Sequence, residues 1–137
     1  MMDLHWYESY VGLPWKLGGR DHAGLDCWGL IRLAYKEQLG CELPSFLDDP
    51  HALAMTVGGR AKAFKAHLPE FYPVPEGSEQ PFDIATMKLG SSLWHVGLLV
   101  SKPFTILHIE DEEGCKIEDW SRREDFIQFG GFYRVRK

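Results

Sequence analysis

The sequence predicts an α+β fold in one domain over residues 1–137, with N-terminal helices packed on an antiparallel sheet of about five or six strands. Three observations predict it. Helical periodicity is confined to the chain before about residue 68, and short strand-like runs follow about residue 82. Between them lies Phe71–Gly77, which carries two prolines and a glycine and reads as a link rather than as regular structure. A chain of 137 residues with 45% hydrophobic content is long enough for one core, and no repeat or long linker divides it.

The elements follow in order. Asp3–Tyr10 is short and aromatic-rich and reads as a helix or, with Trp6, Tyr7 and Tyr10 packing, as a loose arm, and Gly12–Gly19 reads as a loop dense in glycine and proline. A helix is expected from Asp26 or Cys27 to about Leu39, with Cys27, Leu30, Ile31 and Ala34 at the spacing of a buried helical face. Gly40 suits a left-handed cap, and Pro44 lies beyond it. A second helical stretch, about Pro50–His67, is weakened by Gly58 and Gly59. Strands are expected at Asp83–Lys88, Trp94–Ser101, Thr105–Glu110, Cys115–Trp120 and Gly131–Arg136, as a meander with turns at Ser101–Phe104 and Asp111–Gly114. Trp94–Val100 is nearly all apolar, as a central strand covered on both faces would be.

Composition removes several classes of function. Fifteen Lys and Arg against 20 Asp and Glu leave a net charge of −5, which excludes a basic footprint for nucleic acid. No apolar run approaches the length of a membrane span, so no membrane insertion is expected. The opening Met1–Tyr10 lacks the basic-then-apolar pattern of a secretory leader. Three cysteines, an odd number without CxxC spacing, suggest neither a disulfide framework nor a zinc knuckle, and fit a soluble protein made in a reducing compartment.

One cysteine stands where chemistry is favoured. Cys27 opens the predicted helix, where unpaired N–H groups and the helix dipole stabilise a thiolate, and Asp26 is a natural N-cap. A nucleophilic thiol needs a base, and the base an orienting partner. His95 and His108 each interrupt an apolar strand. If Val100 pairs with Thr105, then Gly97 faces His108 and His95 faces Glu110. Both histidines then share one face, roughly 7–8 Å apart at the backbone. The bland alternative is two structural imidazoles and a core thiol. A Cys-His-His zinc set is opposed by the lack of any locally paired ligands. His22 is the reserve base, and His5, His51 and His67 read as surface or loop residues. Cys41 and Cys115 read as packing residues, and Glu110–Glu113 as a solvated turn. Trp15, Trp28 and Trp94 flank the reactive positions, as walls of a substrate groove or as ordinary core.

Four stretches, Gly12–Gly19, Gly24–Ile31, Trp94–Val100 and Ile106–His108, resemble the NlpC-type cell-wall cysteine peptidases, and Gly131–Val135 is similar to the last strand of that family. The resemblance implies a papain-like fold, with Cys27 as nucleophile, His95 as base, His108 as orienting residue and no cofactor or metal. It also implies a groove involving Trp15, Asp26, Trp28 and Trp94, and a peptidoglycan stem peptide as partner, cut at the D-Glu-γ-diaminopimelate bond. The family often has Tyr in place of Trp15 and usually Ser in place of Trp28. Both departures bear on oxyanion stabilisation and on preference for a free amino terminus. Asp26-Cys27-Trp28-Gly29-Leu30, with Leu39–Pro44 following, is similar to the branch of tailed phages and prophages. That similarity implies a place in a virion tail acting at the host wall, with other tail proteins as partners. A structural tail-tip module, or an amidase or acyltransferase with the same trio, are the alternatives.

Overall fold

The computed structural model describes residues 6–45, 70–89, 92–110, 113–122 and 127–135. Helix α1 (Cys27–Leu39) begins where Asp26, in an extended conformation, accepts the Gly29 N–H at 2.8 Å. It ends at Gly40 with φ 62°, and the N–H groups of Gly40 and Cys41 close the carbonyls of Lys36 and Tyr35. Trp6–Ser9 forms one 3-10 turn rather than the expected longer helix, and Trp6 stacks on Phe82 at 4.5 Å. The expected helix over about Pro50–His67 lies outside the described residues, as do residues 1–5. A two-residue ladder, β1 (Arg20–Asp21) with β2 (Gly24–Leu25), leads into α1 and is too short to announce itself by periodicity.

Six strands form one antiparallel sheet in the order β3-β8-β4-β5-β6-β7: β3 Phe71–Pro73, β4 Ile84–Leu89, β5 Ser92–Ser101, β6 Thr105–Glu110, β7 Gly114–Asp119 and β8 Ile127–Val135. The expected meander holds from β4 to β7. The last strand departs from it by returning between β3 and β4, where Arg134 makes a bidentate pair with Asp83 at 2.7 and 2.8 Å. Phe71–Pro73, expected to be irregular, is a strand. It occupies the sheet edge, where a proline costs no ladder bond.

Alternation divides the sheet into two faces. Ile84, Val96, Leu98, Val100, Leu107, Ile109 and Cys115 pack with Leu30, Ile31, Leu33 and Ala34 of α1. Ala85, Met87, Leu99 and Ile106 pack on the other face with Trp120 and Phe132. Among the described residues no helix is long and apolar enough to cross a membrane.

Candidate active site

Cys27 is the first residue of α1 and is half-buried at the margin of the helix-side core. The loop before it is fixed by Asp26, whose buried carboxylate serves three donors. Oδ1 accepts from Gly29 N and from Arg20 Nη1 at 2.7 Å, and Oδ2 accepts from Gly18 N at 3.0 Å. Arg20 also donates to the carbonyls of Gly19 and Ser45. Asp26, expected beside the substrate, is thus engaged within the protein and holds the loop–helix junction. The first helical turn is pressed against this loop so closely that a Cβ on Gly29 would lie 1.9 Å from the Gly19 carbonyl oxygen.

The same loop reaches the sheet. Gly12 N donates to Cys115 O at 2.8 Å and Cys115 N donates to Leu13 O at 2.9 Å. Leu25 N donates to Pro14 O, and Lys16 N to Leu25 O. Residues 12–16 therefore strap β7, at the residue next to Lys116, to a point two residues before Cys27. Lys116 is paired across the ladder with His108.

β5 and β6 carry the imidazoles. Leu98 pairs with Leu107 and Leu99 with Ile106, in the expected register. A bulge at Val100 puts Ser101, not Val100, opposite Thr105. It falls on the turn side of the ladder and leaves the facing of the histidines unchanged. His95 Nε2 lies 3.0 Å from His108 Nδ1, with both rings buried and 74° apart in plane. Gly97 makes room for this contact: a Cβ there would meet Ile106 Cγ2 at 2.6 Å, Leu107 O at 2.9 Å and His108 Cβ at 3.0 Å. His95 is paired with Met87 and Gly97 with Ala85, so the imidazoles stand on the face of Leu99, Ile106 and Trp120. The body of α1 rests on the opposite face. Cys27 stands at the N-terminal tip of that helix.

Two residues join the pair that sequence reasoning did not single out. Glu118 Oε1 lies 3.0 Å from His108 Nε2, and the Trp120 ring meets His108 edge-on at 5.0 Å and lies 5.9 Å from His95. The signal for Glu118 was available, because alternation along β7 puts Lys116 and Glu118 on the His108 side once His108 and Lys116 are paired.

The remaining expected residues are placed as follows. Trp15 is half-buried and bridges Leu25. Trp28 donates its indole N–H to Pro44 O at 2.8 Å and meets Phe71 edge-on at 5.8 Å. Trp94 stands at an irregularity of β5, between the pairs Met87–His95 and Lys88–Leu93, and its side chain lies outside the described residues. His22, the reserve base, is exposed, bonded to Glu37 at 2.8 Å and stacked on Tyr10. Burial pushes the Cys115 thiol up to about 12, as befits a packing residue. His95, His108 and Glu110 bring three potential donor atoms within 4.8 Å of one another. A cation would have to displace the proton between the two imidazoles to use them.

Fold and site define a class first: a helix opened by a cysteine, laid on an antiparallel sheet whose neighbouring strands carry two hydrogen-bonded imidazoles. The NlpC/P60 family model matches residues 12–125, and the chain belongs to the NlpC/P60 family. It is similar to the murein DD-endopeptidase MepS/murein LD-carboxypeptidase of Escherichia coli K12, 23% identical over 122 residues, which are 85% of this chain and 55% of that protein. The proteins of the same name from the O6:H1 and O157:H7 strains match equally. The chain thus spans about half the length of the curated relatives it matches. Among solved structures, an NlpC/P60 family protein from Bacillus cereus ATCC 10987 aligns with TM-score 0.65 at 19% identity, covering 93% of this chain and 37% of that one. The NlpC/p60 domain of peptidoglycan hydrolase SagA aligns with TM-score 0.55 at 18% identity, covering 82% and 81%. These two likenesses establish the α+β fold.

Proposed function

We propose that the chain is a cysteine peptidase that hydrolyses an amide bond of the peptidoglycan stem peptide, at the D-Glu-γ-diaminopimelate linkage, as part of a phage or prophage tail. The observation that carries the reading is the buried 3.0 Å contact between His95 and His108 on adjoining strands, in a chain whose helix α1, capped by Asp26, opens with Cys27. The NlpC/P60 membership and the similarity to a murein endopeptidase support the substrate class. The Asp26–Leu30 block supports the tail context.

In this mechanism the Cys27 thiolate attacks the amide carbonyl, and the carbon–nitrogen bond breaks to leave an acyl-enzyme. His95 takes the thiol proton and returns it to the departing amine. Water, activated by the same imidazole, then releases the acid and restores the thiol. With Nε2 of His95 directed to His108, Nδ1 is the nitrogen that exchanges the proton with sulfur. The Cys27 N–H and a donor from the Trp15 loop serve the oxyanion.

A second reading, a structural tail module without hydrolysis, is favoured by one observation: the helix body and the imidazoles occupy opposite sheet faces. Incubation with purified sacculi separates the two. The peptidase exposes new amines and releases fragments cut at one bond, and Cys27→Ser abolishes this while keeping the circular dichroism of the parent. Intact sacculi would decide for the second reading, and equal release by Cys27→Ser would overturn the role of the Cys27 thiol.

A further inference from the structure

We infer that Glu118 is a positioning residue that sets the order of protons along the imidazole pair, extending the site to Cys27–His95–His108–Glu118. The chemistry of this inference rests on the peptidase reading; the placement rests on geometry alone.

A carboxylate only accepts, so the 3.0 Å contact between Glu118 Oε1 and His108 Nε2 requires the proton on Nε2. A neutral imidazole carries one N–H, which makes His108 Nδ1 an acceptor. His95 Nε2, 3.0 Å away, must then be the donor. The lone pair of neutral His95 is left on Nδ1, the nitrogen that has to accept from a thiol. The reverse order, with His108 Nδ1 donating to His95 Nε2, satisfies the shared hydrogen bond equally well. It would leave the His95 proton on Nδ1, where no thiol proton can be taken up. One carboxylate therefore selects the competent arrangement of two rings. When His95 becomes positively charged, the same chain delivers a negative charge to the far side of His108.

The surroundings support this role. Glu118 is paired with Ile106 on β7, on the face of His108, and its side chain is one-third exposed. Lys116 Nζ lies 3.8 Å from the second Glu118 oxygen, 3.5 Å from Glu110 and against Glu113. Glu110 Oε1 approaches His108 Nδ1 only to 3.8 Å, too far to claim a proton there. The Trp120 ring lies against both imidazoles, edge-on to His108 at 5.0 Å and 5.9 Å from His95.

Long-range nitrogen–proton spectra of the imidazoles, recorded at mildly alkaline pH, read the tautomers without requiring activity. Wild type should show Nε2–H on both rings. Glu118→Ala should shift His108 and His95 toward Nδ1–H and lower kcat about tenfold or more with KM little changed. Glu118→Gln, which keeps an acceptor oxygen, should fall between. Reversed tautomers in wild type, or Glu118→Ala with tautomers and kcat unaltered, overturn the inference. If wild type leaves sacculi intact yet shows this proton order and loses it in Glu118→Ala, the inference stands and the peptidase reading fails. If wild type hydrolyses with the reverse order, the inference fails and the reading stands.

Discussion

Asp26 shows how one side chain fixes the start of α1. Its carboxylate caps α1, fixes the loop at Gly18 and neutralises Arg20, so removing it breaks a helix cap and strands a guanidinium that is 11% exposed. Asp26→Ala should cost about 2 kcal/mol or more by urea denaturation. Asp26→Asn, which can still cap, should cost less. At the same scale, Cys115 should resist alkylation in the folded protein at neutral pH. The residue is 2% exposed and burial holds its thiol protonated, so peptide mapping after a short iodoacetamide pulse should find it unmodified.

At the scale of elements, the hairpin β5–β6 is what brings His95 to His108, and Gly97 is the residue the hairpin cannot change. Gly97→Ala puts a methyl into Ile106 and the Leu107 carbonyl. It should destabilise by about 1–3 kcal/mol and weaken hydrolysis by moving His108. Much of this level was legible in the sequence. α1 was announced by its cap, its periodicity and Gly40, and β4 to β7 by short apolar runs between turns. The histidine register followed from a four-residue turn, and the Val100 bulge did not disturb it. What escaped had physical reasons. β3 hides behind its proline because an edge strand tolerates what an inner strand does not. The position of β8 between β3 and β4 is a long-range pairing that no local pattern encodes. Which sheet face receives the helix depends on how α1 docks, and strand alternation alone gives two equivalent choices.

The proposed site draws Cys27 together with His95, His108 and Glu118 from positions far apart in the chain, so it can work only while the fold is intact. The ionisation of Tyr10 and Glu37 bears on that stability. Burial raises the Glu37 carboxyl, but hydrogen bonds from Tyr10 and His22 and the charges of His22 and Lys36 outweigh it and leave the group below its ordinary range. Its contribution is therefore present above the unfolded carboxylate value and is lost as pH falls through the lower folded one. Tyr10 is raised to about 12, by burial first and then by its 2.6 Å bond to Glu37. That contribution is complete below the unfolded phenol value and is lost as pH climbs toward 12. Denaturation profiles should show Tyr10→Phe flattening the alkaline limb and Glu37→Gln flattening the acid limb.

The claim on which all else turns is that the Cys27 sulfur works against His95. The rate of Cys27 alkylation by iodoacetamide as a function of pH, in wild type and in His95→Ala, tests it without any substrate. Rapid alkylation well below the ordinary thiol range of about 8.5, reverting to ordinary titration in His95→Ala, is the predicted result. Superimposable profiles in the two proteins would contradict the account.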